Sequence, residues 1–466
     1  MVIKVNLMRL KKINVMCFVA TFFAISAYAQ SEGFKTSNQN KFDSSGNWSY
    51  HFQLTSIYQT HPDFSAKVSG PNSLSPFQEE ALSLTTTIFI GRKLWKNAAF
   101  YFNPEISGGK GLSGVLGMGG AFNGETFKIG SVAPTPYVAR AYLQQHIAIG
   151  TSKRKEYFDN EINQVKEVIP ASRITINAGK FCIADFFDDN KYSHDPRTQF
   201  MNWSLMSGTG WDYPANTRGY TWGIVVEYIK PTWAARIAST TVPLIPNGMW
   251  FDWNVLQAHS ETFEVEKKLI FNNRKGKIRA LVYHTSSRAP SYRNAVNQMA
   301  KGDSTLLPIF AGLQQGIAYG GVKYGWNISF DQELFDGIAM FARASYGDGH
   351  SSIWAFTEVD QSAHVGLSFE GKKWKRPQDV FGIAYVVDGI SQDHIDYLNA
   401  GGLTFMLGDG KGNLNYQPEQ IMETFYNLNL TPSLWLTADY QLAFNPGYNK
   451  DRGPVNVFGL RVHIEF

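Results

Sequence analysis

The chain has 466 residues, of which 44% are hydrophobic, 14% aromatic and only 18% charged. That charged share lies below the roughly 25% of ordinary soluble domains, and the wealth of apolar surface excludes intrinsic disorder. Two cysteines, Cys17 and Cys182, exclude a disulfide scaffold, and a formal net charge of +4 is modest for a chain of this size.

Residues 1–29 read as a secretory signal peptide. Lys4, Arg9, Lys11 and Lys12 form a basic start, Ile13 to Ala24 an apolar core, and Ala27-Tyr28-Ala29 a small-x-small cleavage site. Removing the four basic residues of this segment leaves 39 Lys and Arg against 39 Asp and Glu. The basicity of the chain therefore belongs to its export signal, and nucleic acid is not an expected partner. A short polar segment, 30–47, follows. Cys182 then stands alone and reads as a small apolar filler. No later run of about 18 apolar residues suggests a membrane helix. An exported all-β protein remains, either soluble or an outer-membrane barrel.

Alternation decides between these two. From residue 48 onward, sixteen segments read as strands: 48–58, 81–90, 97–106, 139–149, 172–181, 219–229, 233–240, 260–268, 277–285, 319–330, 338–346, 360–370, 379–388, 418–429, 433–442 and 457–466. The last is the clearest, with Phe458, Leu460, Val462, Ile464 and Phe466 on one face and Arg461, His463 and Glu465 on the other. Aromatic residues crowd the ends of such apolar faces, as they do in the girdles of membrane barrels. Connections after odd-numbered strands are long and those after even-numbered strands short, the asymmetry of extracellular loops and periplasmic turns. One exception is 150–171, a charged connection on the short-turn side; a hairpin hidden there would raise the count to eighteen. The expected architecture is thus an all-β transmembrane antiparallel barrel over residues 48–466, with long extracellular loops folding into the lumen. A barrel of this width leaves an aqueous channel. The inward-facing Arg140, Glu264, Glu266, Lys323, Arg343, Glu423, Asp439 and Arg461 fit a wet interior, because such charges are costly in a dry one.

Several segments carry a resemblance. In the last quarter these are His394-Ile395-Asp396-Tyr397-Leu398-Asn399-Ala400-Gly401-Gly402, Leu407-Gly408-Asp409-Gly410, Leu414-Asn415-Tyr416-Gln417-Pro418-Glu419 and Asn445-Pro446-Gly447-Tyr448-Asn449, with Phe466 at the end. In the middle they are Gly179-Lys180-Phe181, Asp185-Phe186-Phe187-Asp188, Phe200-Met201-Asn202-Trp203, Trp211-Asp212-Tyr213-Pro214-Ala215 and Arg218-Gly219-Tyr220-Thr221-Trp222-Gly223. As a set they resemble the carbohydrate-selective porin (OprB-type) family over roughly residues 48–466. The resemblance implies passive, selective diffusion of sugars, monosaccharides such as glucose or small oligosaccharides, across the bacterial outer membrane. It also implies that the terminal Phe466 is an assembly signal for the barrel-assembly machinery, and that outer-membrane lipids and lipopolysaccharide surround the barrel. Monomer and trimer are left open, and so is passage of other small solutes or anions.

A sugar is neutral, hydroxyl-rich at its edges and apolar on its ring faces, so a selective constriction needs charged hydrogen-bonding groups beside an aromatic surface. The two long early loops, 107–138 and 182–218, are the natural constriction builders. They and their flanks supply the eyelet candidates Asn123, Glu125, Arg140, Asp185, Trp211 and Arg218. The expected arrangement sets Arg140 or Arg218 opposite Glu125 or Asp185, with the indole of Trp211 nearby. The same residues could equally pin loop to wall by ion pairs, and Asp188 and Asp189 read more readily that way. No other chemistry stands out. Asp185 to Asp195 departs from a calcium loop at Phe187, Asn190 and Pro196. The ten histidines contain no His-Glu-x-x-His, and no Gly-x-Ser-x-Gly elbow marks a barrel hydrolase. No cofactor, no metal and no catalytic residue is expected.

Overall fold

The computed structural model describes residues 46–128, 132–151 and 154–466. The signal peptide and nearly all of the 30–47 segment lie outside these residues. The strands are β1 (Trp48–His61), β2 (Glu79–Trp95), β3 (Ala98–Gly109), β4 (Thr135–Ala148), β5 (Lys155–Phe158), β6 (Glu167–Pro170), β7 (Arg173–Phe181), β8 (Thr221–Lys230) and β9 (Trp233–Thr240). They continue with β10 (His259–Phe271), β11 (Arg274–Ser287), β12 (Gly321–Phe335), β13 (Ile338–Gly347), β14 (Gln361–Glu370), β15 (Val380–Gly389), β16 (Glu419–Thr431), β17 (Leu434–Phe444) and β18 (Val455–Glu465). Sixteen of them close into one antiparallel barrel in sequence order, with β4 pairing directly to β7 and β18 to β1. Closure runs from Gln53 opposite Glu465 to Thr60 opposite Phe458.

The hairpin suspected in 150–171 exists, yet it adds no stave. β5 and β6 pair only with each other. Their segment folds against the inner wall at the short-turn mouth: Val165 donates its N–H to Tyr101 Oη, Glu167 pairs with Lys93 at 3.0 Å, and Glu156 with Arg173 at 2.8 Å. Val165, Ile169 and Ala171 are buried there, which gives the hairpin an apolar reason to sit inside the mouth.

The period-2 pattern appears as a two-faced wall. On β18, Phe458 and Leu460 face outward and exposed, while Arg461 and His463 between and below them are buried inward. Ile224, Ile237, Phe263, Val282 and Ile328 belong to the same outward apolar band. Aromatic pairs mark its two edges: Trp222 with Trp253 on the long-loop side, and Tyr228 with Trp233 on the short-turn side. Phe466 stacks on Phe52 at 6.1 Å and exchanges backbone hydrogen bonds with it across the closing seam.

Strands run further than alternation alone suggests. β10 and β11 meet at Asn272 and Asn273, both at positive φ, a two-residue turn that Asn tolerates well. β10 runs past the expected end at 268 through Leu269, Ile270 and Phe271, and β11 starts at Arg274, before the expected 277, so the ladder persists where the apolar–polar alternation does not.

The wet-interior expectation needs one correction. Glu264, Arg343, Glu423 and Arg461 do point inward but keep almost no exposure, because the long loops fold into the bore and bond to them. Most of the inner charge is therefore satisfied by loop backbone and side chains rather than by solvent.

Candidate functional site

The segment 182–220, between β7 and β8, crosses the bore. It opens with a short turn in which Asp185 and Phe186 donate their N–H groups back to Cys182 and Ile183. Anchors then hold it on many sides. Asp188 takes Arg343 at 2.8 Å and gives its N–H to Glu264 on β10 at 2.7 Å. Arg197 reaches the opposite wall, bonding Glu105, Gln53, Thr87 and, from the other long loop, Glu125. Glu423 on β16 accepts the N–H groups of Met201 and Asn202, and Arg461 on β18 donates to the carbonyls of Pro196 and Gln199. Asn202 caps the short helix Trp203–Met206 by accepting from the Ser204 N–H. A loop bonded to β3, β10, β13, β16 and β18 is a rigid bar rather than a free flap.

Among the inward-facing cation–anion pairs of the described residues, Arg140–Asp185 and Lys277–Asp189 keep clear exposure, and Arg236–Glu227 keeps a little. Arg140 grips Asp185 with two parallel bonds, 2.7 Å from Nε to Oδ2 and 2.6 Å from Nη2 to Oδ1, with the two side chains 13% and 25% exposed. Arg236 bonds Glu227 at 3.0 Å on the neighbouring strand, and Lys277 reaches Asp189 at 3.3 Å. Arg140 lies eight residues from the short-turn end of β4, whereas Arg236 and Lys277 lie three residues from the short-turn starts of β9 and β11. The pairs thus descend along the wall from β4 to β11. Beside the first of them sits Phe186, half-buried and edge-on to Phe181 at 5.2 Å and Tyr142 at 6.0 Å. Toward the short-turn mouth, a cavity of about 370 Å³ opens beneath Lys191, Tyr192 and Gln199, with Phe425, Trp435 and His463 on its wall.

The structure places the six eyelet candidates in two groups. Arg140 and Asp185 meet on the solvent-facing side of the bar, but they bond each other directly instead of standing across a gap. The other four are enclosed. Asn123 donates to Ser83 Oγ and accepts the Glu125 N–H, and Glu125 is held by Arg197 at 3.0 Å. Arg218 lies 4.0 Å over the Tyr137 ring and bonds Ser107. Trp211 is fully buried between Phe187 and Tyr213, so its indole presents no face to the bore. For these four, the wall-pinning alternative describes the geometry. Arg236, Glu227, Lys277 and Phe186 were not singled out in the sequence. Alternation marks the inward side of a strand, but which inward charges stay wet depends on where the loops pack.

At the long-loop rim, the His394 motif builds a clamp. Ser391 caps the helix Gln392–Asn399, and His394 sits buried between Asp360 at 3.2 Å and Glu358 at 3.5 Å, with Lys323 3.0 Å from Asp360. Burial, reinforced by the Asp360 carboxylate, pushes the Glu358 carboxyl up to about 8, and burial pulls His394 below its ordinary value. Gly402 allows the close return of the chain, since a Cβ there would meet the Tyr397 ring at 2.5 Å.

A closed barrel of sixteen antiparallel strands, with a loop barring its bore and paired charges beside the bar, defines a porin-class outer-membrane channel. Residues 73–466 match the family model described as "Carbohydrate-selective porin, OprB family", and the chain belongs to that family. Among solved structures, the high-pH form of Pseudomonas putida OprB shares the fold, with a TM-score of 0.67 at 16% identity over 93% of this chain and 97% of that one. Porin AaxA of Chlamydia pneumoniae is 23% identical over 140 residues. That match covers 30% of this chain and spans 28% of the relative's length.

Proposed function

We propose that this barrel passes neutral sugars, monosaccharides such as glucose first among them, by passive diffusion across the outer membrane. The observation that carries the reading is the row of inward cations each already bonded to carboxylate: Arg140 with Asp185, Arg236 with Glu227 and Glu264, and Lys277 with Asp189. Such a row offers many donors and acceptors to hydroxyl groups. Bidentate Arg140 keeps its remaining N–H groups for neighbouring hydroxyls, Asp185 keeps acceptor lone pairs, and Phe186 supplies an apolar face beside them. Arg140, Asp185 and Phe186 are the residues assigned to the sugar pathway; Asn123, Glu125, Trp211 and Arg218 are assigned to holding the loops that shape it.

The same reading takes residues 1–29 as a cleaved export signal, 30–47 as a short polar lead, and 48–466 as the barrel, assembled through its terminal Phe466 in a lipopolysaccharide-containing membrane. Proteoliposome swelling with sugars, amino acids and salts tests it. Glucose should enter faster than an amino acid or salt of similar size. Equal rates across the panel, or a preference for anions, would replace the sugar assignment with a general or anion-passing pore.

A further inference from the structure

We propose that the outer face of the barrel carries a zinc(II) site built from His259, Glu261 and His284. The three lie where β10 and β11 emerge at the long-loop rim, with Glu261 directly opposite His284 in the ladder. Their side chains share the outward face with the lipid-band residues Phe263 and Val282, the next outward positions on each strand, and they are 25%, 42% and 50% exposed. One ligand atom from each residue falls within 4.8 Å of the other two. His259 Nε2 is 3.4 Å from Glu261 Oε1, and His284 Nδ1 is 3.2 Å from Glu261 Oε2. Ligands bonded to zinc at 2.0–2.1 Å in a tetrahedron stand about 3.3 Å apart, close to these two separations.

A further contact orients one of the two imidazoles. His259 Nδ1 lies 2.8 Å from the carbonyl oxygen of Val255. A carbonyl only accepts, so Nδ1 donates to it, and the ring turns Nε2 toward the Glu261 carboxylate. The Val255 carbonyl is also the kind of outer partner that fixes the tautomer of a metal-bound histidine. Two imidazoles and one carboxylate suit zinc better than magnesium or calcium, which prefer oxygen-only sets. An ion there ties β10 to β11 and, through Val255, to the 241–258 loop. Because the three residues follow no metal-binding spacing along the chain, the sequence carries no motif for them.

The test uses tag-free full-length barrel, stripped with chelator in detergent and titrated with zinc chloride by calorimetry, with cobalt(II) as the optical probe. Wild type should bind one zinc per chain and give the visible bands of low-coordinate cobalt. His284→Ala and Glu261→Gln should each weaken zinc at least about 100-fold and abolish those bands, a larger loss than outer partners usually cause. His350→Ala, at another exposed histidine, should change neither. All variants are checked for heat-modifiable folding, and the near-isosteric Glu261→Gln keeps the test decisive where an alanine variant folds poorly. Failure of wild type to bind zinc, or zinc affinity unchanged in both ligand variants, overturns the site.

Discussion

Arg140, on a barrel strand, and Asp185, at the head of the loop that bars the bore, bond through two parallel hydrogen bonds while both stay in contact with solvent. The pair therefore does two things at once: it pins the start of the bar and it presents polar edges to whatever passes. Replacing Arg140 with Ala should separate these roles. Single-channel conductance in planar bilayers should rise severalfold, and glucose should lose its ability to block the current. Arg140→Lys, which keeps the charge but not the fork, should retain the conductance better than the block. Unchanged glucose block in a folded Arg140→Ala barrel would remove Arg140 from the pathway.

Asp188 and Arg343 form the deeper anchor, each almost fully enclosed, with Arg343 also donating to the carbonyls of Asp188 and Leu205. Arg343→Ala leaves the Asp188 carboxylate without its cation in a dry site, a change that costs about 3–5 kcal/mol where such pairs have been broken. The bar should loosen, seen as a larger and noisier conductance and as cleavage within 182–220 by added protease. The double variant Asp188→Asn with Arg343→Met should recover much of that loss.

Strand existence was legible wherever an outward apolar face alternated with polar residues, as on β18. The ends were not, because Leu269, Ile270 and Phe271 on β10 and Arg274 and Lys275 on β11 continue the ladder past the alternating stretch. The constriction was legible as a loop but not as a surface. Arg140 and Asp185 could be grouped because both lie in or beside the two long early loops that the family resemblance sends into the lumen, but their direct bond depends on β7 pairing with β4. Trp211 could not be placed, since position in a loop does not say whether an indole turns toward the bore or, as here, into a pack with Phe187 and Tyr213. Likewise Lys277 and Arg279 both face inward on β11, and only the packing around them leaves Lys277 wet and Arg279 enclosed.

Glu358 makes stability depend on pH. The folded carboxyl holds its proton to about 8, whereas an unfolded glutamate releases it near its ordinary value of about 4.3, so its contribution is fully present below that value and is lost as pH rises to about 8. His394 acts in the opposite sense, since its folded value is lowered, and it costs stability as pH falls below its ordinary range. Glu358→Gln cannot ionise. Its unfolding temperature, followed by circular dichroism, should exceed that of wild type at pH 8–9 and approach it near pH 5.

The seam contact of Phe466 with Phe52 closes the ring of strands at the last residue. Deleting Phe466 should reduce the heat-modifiable, protease-resistant fraction recovered from outer membranes several-fold. Wild-type yield and insertion kinetics in the truncated chain would separate Phe466 from assembly.

The hydrogen-bond ring passes straight from β4 to β7, with Ala148 opposite Arg173, as though β5 and β6 were not there. Circumference, tilt and the whole outward face are thereby decoupled from the length of chain spent between these two strands. The region can grow or shrink at the inner mouth like a washer in a pipe fitting, resizing one end of the conduit while every stave keeps its neighbours.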